Sequence, residues 1–199
     1  KRMSDKHKTS ILLIGPMGVG KTTISEALAK HYGLPLVDLD DLRKEYYAKM
    51  PEYSREKSRA IFESGGDLHA YFEPFETQQV EMLLELDEPA VFDFGGGHTV
   101  KSEGYFKRIY TAFQPYENVV LLTISPDLEE TIEELYFDHR EGIETQHLKQ
   151  YNVMNRKFVE SGCNEKLAKH VVYRTGKTVE QTLAEIITWV DQGINNEIK

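Results

Sequence analysis

The chain has 199 residues, of which 40% are hydrophobic, and its 24 basic and 33 acidic residues give a formal net charge of −9 at pH 7. This length and composition are typical of one globular domain with a sizeable core, and the acidic balance argues against a general nucleic-acid binder, which presents a basic face. No apolar run approaches the roughly 18 residues of a membrane-spanning helix, and the single cysteine, Cys163, is typical of a protein from a reducing cytoplasm.

Short apolar runs alternate with segments of helical periodicity along residues 9–199, and a polar stretch over 1–8 predicts a flexible tail. We predict strands over 10–14, 35–38, 89–94, 118–124 and 169–173. We predict helices over 21–32, 40–49, 55–64, 68–86, 102–113, 127–137, 146–160 and 178–192. This alternation is typical of a three-layer α/β fold with a five-stranded parallel sheet. The polar segment 138–153 is compatible with a mobile lid, and equally with an ordinary connecting loop.

A phosphate-binding pattern, G-x-x-x-x-G-K-[ST], stands between the first predicted strand and the helix after it. Gly15, Gly18 and Gly20 allow the backbone to turn tightly and to point successive N–H groups at an anion. Lys21 can reach the β- and γ-phosphates, and the Thr22 hydroxyl can ligate Mg²⁺. The order strand, loop and helix favours this P-loop over a glycine-rich turn without a ligand.

Acidic residues end the second and third predicted strands, where ligands of open α/β sheets bind. Asp38 and Asp40 end the second strand; one could orient the water shell of Mg²⁺ and the other could accept a proton from a substrate hydroxyl. Helix capping is the structural alternative, for which Asp41 is the better candidate. Asp93 ends the third strand. An acid at the end of an apolar strand is the usual second Mg²⁺ position of P-loop enzymes.

Three successive glycines, Gly95, Gly96 and Gly97, follow the third strand. One glycine would be enough for a tight turn. Three of them favour a close approach of bare backbone to a small molecule.

Together these residues resemble the shikimate kinase family. That family shows G-x-M-G-x-G-K-[ST], then Asp-x-Asp after the second strand and Gly-Gly-Gly after the third, and this chain has all three in order, with Met17 in place. The resemblance implies a P-loop kinase with a mobile lid at about 138–153, which uses ATP and Mg²⁺ to phosphorylate a hydroxyl of a small carbocyclic acid.

The resemblance also implies roles for individual residues. Asp40 would contact the acceptor hydroxyl and act as base, while Asp38 would hold Mg²⁺ through water. Gly96 and Gly97 would line the acceptor pocket, with Gly95 beside them. The nucleotide would be held by Gly15, Met17, Gly18, Val19, Gly20, Lys21, Thr22 and Thr23, with Arg174 and Thr175 as weaker candidates near adenine. Arg140 corresponds to a lid arginine over the phosphates, and Arg156 to an arginine that binds the substrate carboxylate.

One motif of the family is missing. The family carries Gly-Glu-x-x-Phe-Arg-x-x-Glu, whose arginine grips the substrate carboxylate. In the matching stretch of this chain, Tyr71 or Glu73 stands at the arginine position, depending on the register. No Lys or Arg occurs between Arg59 and Lys101, and Pro74 is expected to interrupt the helix.

This departure leaves two interpretations of the acceptor. If it is shikimate, Arg156 must hold the carboxylate, with Arg59, His69 or His98 as helpers. The seven acids and the lack of Lys or Arg between Gly66 and Glu88 point instead to a neutral or cationic acceptor.

We therefore predict an ATP-dependent small-molecule kinase, shikimate kinase-like. The alternatives are a P-loop kinase for another hydroxylated acceptor (a polyol, sugar acid or nucleoside) and a nucleotide-binding regulatory protein with little turnover. We expect a cytoplasmic monomer or weak homodimer that binds neither nucleic acid nor membranes.

Overall fold

The computed structural model describes residues 5–137 and 145–196. Its centre is a five-stranded, all-parallel sheet in the order β2-β3-β1-β4-β5, so the predicted fold class is confirmed. The strands are β1 (Ile11–Ile14), β2 (Leu36–Asp38), β3 (Val91–Asp93), β4 (Asn118–Thr123) and β5 (His170–Tyr173). All five predicted strands are therefore present, with small shifts at their ends.

Helices connect the strands and lie on both faces of the sheet. They are α1 (Asp5–Thr9), α2 (Lys21–Tyr32), α3 (Leu39–Tyr47), α4 (Arg55–Glu63), α5 (Leu68–Leu84), α6 (Glu103–Phe113), α7 (Leu128–Glu134), α8 (Thr145–Glu160), α9 (Cys163–Leu167) and α10 (Val179–Asn196). The short helices α1 and α9 were not predicted. Within the described ranges, no helix has both the length and the apolar character needed to cross a membrane.

The core consists of two apolar layers separated by the sheet, because successive strand residues point to opposite faces. Leu12 and Ile14 of β1 pack with buried side chains of α5 and α6. Ile11 and Leu13 pack on the other face, with α2 and α10. All four strand side chains are fully buried, as expected for the central strand of a parallel sheet.

The expectation of a flexible tail over residues 1–8 is wrong for residues 5–8, since helix α1 begins at Asp5. Lys6 Nζ donates to the Leu84 carbonyl at 2.6 Å, and Asn118 Nδ2 donates to the Lys8 carbonyl at 2.6 Å. These contacts anchor α1 to the end of α5 and the start of β4. Polarity alone suggested a tail because such backbone contacts leave no trace in the sequence.

Pro74 does not interrupt its helix, contrary to expectation, since α5 runs continuously from Leu68 to Leu84. A proline inside a helix removes one backbone hydrogen bond and crowds the preceding turn. Buried contacts of Phe75, Val80 and Leu83 hold the helix in place despite that cost.

The predicted lid falls partly outside the described residues. Residues 145–153 belong to α8, whereas 138–144, with Arg140, lie outside.

Candidate active site

The carboxyl ends of β1, β2 and β3 bring the P-loop and the predicted acids to one edge of the sheet. Asp38 and Asp93 are register partners across β2 and β3, and Asp93 is also opposite Leu13 of β1. A cavity of about 280 Å³ opens there. Its lining residues are Met17, Gly18, Gly20, Lys21, Thr22, Thr23, Asp38, Asp40, Asp93, Phe94, Gly95 and Gly96. Most residues nominated from sequence therefore share one cavity.

The backbone of the P-loop requires glycine at two of its positions. Gly15 has φ 148° and lies against β4, so that a Cβ there would be 2.2 Å from the Leu122 carbonyl oxygen. Gly20 has φ 92° and stands at the N-terminus of α2 without a side-chain hydrogen bond to that terminus. No side chain caps the first turn of α2, and a helix N-terminus of this kind suits a phosphate.

Lys21, Thr22 and Asp93 meet in the cavity. The Lys21 side chain is buried, and its Nζ donates to the Pro16 carbonyl at 2.8 Å. Burial raises the pKa of Asp93 to about 6, although the Lys21 charge and a hydrogen bond with Thr22 oppose this shift. Desolvation of the Asp93 carboxylate therefore outweighs these two favourable contacts.

Asp38 caps helix α3, a role that the sequence analysis had given to Asp41. Its Oδ1 accepts hydrogen bonds from the N–H groups of Asp40 at 2.9 Å and Asp41 at 3.1 Å. Helix α3 begins at Leu39, earlier than predicted, which moves the cap to Asp38. Burial is the main reason why the pKa of Asp38 is raised.

Asp40 projects into the cavity beside the glycine turn. Its side chain is 56% exposed, and its Oδ1 accepts a hydrogen bond from Arg43 Nη2 at 2.7 Å. A Cβ on Gly95 would lie 2.5 Å from both carboxylate oxygens of Asp40. A side chain at position 95 would therefore force the carboxylate of the candidate base to move.

A buried pair of side chains connects α3 to the glycine turn. Gln79 Nε2 donates to the Leu39 carbonyl at 2.7 Å, and Gln79 Oε1 lies 3.1 Å from His98 Nε2. The N–H of His98 donates to the Gly95 carbonyl at 3.0 Å. His98 is fully buried, and burial lowers its pKa to about 4. It is therefore not the substrate-carboxylate helper considered from sequence.

Two buried glutamates of α5 hold the segment after the glycine turn. Lys101 Nζ donates to Glu76 and to the Gly97 carbonyl, while Glu73 accepts from the N–H of Ser102 and from its hydroxyl at 3.1 Å. Burial opposes ionisation of Glu76, yet the charge of Lys101 lowers its pKa well below the usual range.

Neither residue at the position of the missing arginine is available to an acceptor. Glu73 is bound to Ser102, and the Tyr71 hydroxyl hydrogen-bonds both the N–H and the carbonyl of Ser54 at 2.9 Å.

The two predicted arginines within the described residues lie in different surroundings. Arg156 has a guanidinium that is 44% exposed and pairs with Glu129 at 3.1 Å and Glu160 at 3.0 Å. These partners lie in α7 and α8, and Arg156 is not among the residues that line the P-loop cavity. Arg174 lies against the P-loop, where it donates to the Val19 carbonyl beside Gly20.

Sequence analysis missed Arg43, Gln79 and Asn155. Arg43 follows Asp40 by three residues on a predicted helix, and this spacing could have identified it as a neighbour. Asn155 Oδ1 accepts from the Met17 N–H at 2.9 Å, and its Nδ2 donates to the Met17 carbonyl at 3.1 Å. Gln79 and Asn155 form hydrogen bonds with residues that are distant in the sequence, so no local sequence pattern identifies them.

The shikimate kinase family model matches residues 17–191 of this chain. A shikimate kinase from Enterococcus faecalis is 30% identical over 185 residues, which cover 89% of this chain and 96% of that protein. A shikimate kinase from Ruegeria pomeroyi is 36% identical over a shorter alignment, 46% of this chain and 41% of that protein.

Solved structures show the same fold. A shikimate kinase from Acinetobacter baumannii, in complex with shikimate, superposes with a TM-score of 0.63 at 20% identity, over 96% of both chains. A gluconokinase from Sinorhizobium meliloti gives a TM-score of 0.61 at 18% identity, over 97% of both chains. The family match over most of the chain, and the P-loop, strand-end acids and glycine turn around one cavity, show that this chain belongs to the shikimate kinase family, the ATP-dependent phosphotransferases that act on a hydroxyl group.

Proposed function

We propose that this protein transfers the γ-phosphoryl group of ATP to a hydroxyl of a small hydroxylated molecule, with Asp40 as the general base. One observation carries the proposal: the Asp40 carboxylate lines the same cavity as Lys21 and Thr22 of the P-loop and lies over the glycine turn at Gly95. A base and a phosphate-binding loop that face one space are what phosphoryl transfer requires.

The reaction follows from these positions. The α2 N-terminus and Lys21 hold the phosphates, and Lys21 exchanges its contact with the Pro16 carbonyl for them. The acceptor oxygen forms a bond to the γ-phosphorus while the bond from that phosphorus to the β,γ-bridging oxygen breaks. The hydroxyl proton passes to Asp40, and ADP leaves with the bridging oxygen.

The residues present fit Mg²⁺. The Thr22 hydroxyl and the Asp93 carboxylate are oxygen ligands, which this ion prefers, and Asp38 is close enough in the sheet to act through water. The raised pKa of Asp93 indicates a carboxylate that a cation would stabilise. In the described part of the chain no cluster of three or more His, Cys, Asp or Glu residues forms a metal cage, as suits an ion that keeps water and phosphate ligands. Bound Mg²⁺ would neutralise the charge of the β- and γ-phosphates.

The nucleotide base has a candidate site beside the P-loop. A cavity of about 570 Å³ is lined there by Gly18, Arg174, Thr175 and residues 176–178, among others. We assign the adenine ring to this cavity. We also propose that Arg140, which lies outside the described residues, binds the phosphates.

ATP consumption measured with and without hydroxylated acceptors tests the proposal. We expect turnover that an acceptor stimulates, and its loss in Lys21→Ala, because that variant lacks the only cation fixed by the loop itself. Tight ATP binding with no stimulation by any acceptor would instead support a nucleotide-binding regulator. We expect the enzyme to work in the cytoplasm, as a monomer or weak homodimer.

A further inference from the structure

We propose that Arg43 binds an acidic group of the acceptor, with the Tyr47 hydroxyl as a second donor, and that these two residues of α3 take the place of the arginine missing from α5. The inference rests on the proposed function, because it concerns the molecule whose hydroxyl Asp40 activates. It gives that molecule a chemical class, a small hydroxy acid.

The Arg43 guanidinium lies between the candidate base and helix α5. Arg43 follows Asp40 by one helical turn of α3, and its Nη2 lies 2.7 Å from Asp40 Oδ1 and 3.3 Å from Glu76 Oε1. Glu76 is one turn of α5 after Glu73, which stands at the position of the family arginine in one of the two registers. Arg43 therefore brings a guanidinium from α3 to the region where the family motif presents one from α5.

Two buried polar atoms on this face of α3 have no hydrogen-bond partner in the described part of the chain. They are Arg43 Nε and the hydroxyl oxygen of Tyr47. Tyr47 follows Arg43 by four residues, which places both side chains on one face of the helix, and the guanidinium carbon is 6.0 Å from the centre of the Tyr47 ring. Buried polar groups of native proteins almost always have a partner. These two donors therefore indicate a ligand group that carries acceptor oxygens.

A carboxylate suits these donors better than an alcohol does. A guanidinium carries five N–H groups, and the contacts of Arg43 with Asp40 and Glu76 both use Nη2, so donors remain for a further anion. Arginine binds a carboxylate through two charge-assisted hydrogen bonds, which are stronger than hydrogen bonds between neutral groups. The Arg43 side chain is 33% exposed, and a turn of the guanidinium presents its enclosed Nε to the bound group.

The local charges favour an acidic group as the reaction proceeds. Glu76 is 4% exposed and pairs with Lys101, so its charge is balanced without Arg43. Asp40 opposes the charge of Arg43 at first, but this carboxylate becomes neutral when it takes the hydroxyl proton. The attraction between Arg43 and an acidic group of the acceptor thus strengthens toward the transition state, which lowers the barrier. A neutral acceptor offers Arg43 no such replacement.

The first test compares acids with their neutral analogues. We would assay the whole chain with shikimate and the analogue that carries hydroxymethyl in place of the carboxylate, and with the pair gluconate and glucitol. We expect kcat/KM for the acid of at least one pair to be about ten-fold higher or more. Equal or better use of the neutral member in both pairs overturns the proposal. Transfer to no member of either pair also contradicts it, and stimulation of ATP consumption by another hydroxylated acceptor separates that failure from a failure of the proposed function.

The second test removes the charge of Arg43. In Arg43→Met we expect kcat/KM for the acid, relative to its neutral analogue, to fall about ten- to a hundred-fold. This ratio within one variant does not depend on the folded fraction, or on a change at Asp40 that affects both acceptors equally. Arg108→Met is the matched control: Arg108 of α6 bonds Glu81 of α5 at 2.8 Å and does not line the P-loop cavity. An unchanged ratio in Arg43→Met, or an equal fall in both variants, contradicts the proposal.

Arg156→Met tests the arginine that the family resemblance assigns to the substrate carboxylate. Because the Arg156 guanidinium pairs with two glutamates, we expect the ratio to change less than in Arg43→Met. A larger fall in Arg156→Met would assign the acidic group to Arg156 and overturn the role of Arg43.

Tyr47→Phe provides a second route if Arg43→Met does not fold. It removes a buried hydroxyl that has no partner among the described residues, so urea unfolding without acceptor should show equal or higher stability. The ratio of acid to neutral analogue should nevertheless fall about three- to ten-fold. Tyr116→Phe is the control, because the Tyr116 hydroxyl donates to the Leu84 carbonyl at 2.8 Å; this variant should lose stability and keep the ratio. Lower stability with an unchanged ratio in Tyr47→Phe contradicts the role of its hydroxyl.

Discussion

The side-chain amide of Asn155 makes two hydrogen bonds to the backbone of Met17, which joins helix α8 to the phosphate-binding loop. The Asn155 Oδ1 accepts at 2.9 Å and the Nδ2 donates at 3.1 Å, and Asn155 is buried. Helix α8 begins directly after residues 138–144, and the loop position that it fixes is in the candidate active site.

Asn155→Ala should therefore weaken ATP binding as well as stability. The change leaves the N–H and carbonyl of Met17 without these partners, at a cost of about 1–3 kcal/mol. Isothermal titration with ATP and urea unfolding measure the two effects. Asn164→Ala is the control, because Asn164 is also buried but bonds Thr99. Equal ATP affinity in wild type and Asn155→Ala would show that the loop keeps its shape without this amide.

Asp40→Asn should lower kcat by about 10²-fold or more and change ATP affinity little. The amide still accepts a hydrogen bond but cannot take the hydroxyl proton. Steady-state kinetics measure kcat, and nucleotide titration measures binding. Asp41→Asn, an exposed neighbour on the same helix, should keep normal kcat. Similar kcat values for all three proteins would show that Asp40 has only a structural role.

Gly95→Ala should reduce kcat by displacing Asp40. The added methyl group would lie 2.5 Å from both carboxylate oxygens, so the carboxylate must move. Gly104→Ala is the matched control, since a Cβ at Gly104 meets nothing within 4 Å and that glycine lies in helix α6. Alanine there should be neutral or slightly stabilising. Unchanged kcat in Gly95→Ala would show that the turn adjusts freely.

The free energy of unfolding should fall as the pH drops from about 6.5 toward 4, in part because of His98. Burial depresses its pKa to about 4 in the folded protein, against about 6.5 when unfolded. Between these values the unfolded state binds more protons, so stability rises with pH, by on the order of 1–3 kcal/mol for this one residue. Nearby Arg43 and Lys101 also disfavour the charged ring, whereas Glu76 and Asp40 favour it.

Urea unfolding of His98→Asn at pH 5 and pH 7.5 checks this contribution. The loss of stability between the two pH values should be smaller in the variant than in wild type. Exposed His31 provides the control, and His31→Asn should retain the wild-type difference. The same pH dependence in all three proteins would rule His98 out as its source.

Several sequence-based conclusions about the site depended on which way a helix faces. Arg156 was correctly predicted to be helical, yet its side chain pairs with Glu129 across to α7. Asp38, not Asp41, caps α3, because a shift of one residue in the helix start exchanges cap and exposed positions. Periodicity identifies a helix more reliably than it fixes the helix end or the partners of a long side chain.

The sequence by itself determined the order of strands and helices, the P-loop and the acids at the strand ends. Those features are local: apolar runs, glycine spacing and residues next to a strand terminus carry them without help from distant segments. The tertiary structure alone decided that Glu73 binds Ser102 and that Glu76 pairs with both Lys101 and Arg43. It also decided that Gln79 and Asn155 form hydrogen bonds to the backbone of the site. Each of these is a pairing of buried polar groups across helices, and burial forces such groups to find partners that only the folded chain brings near.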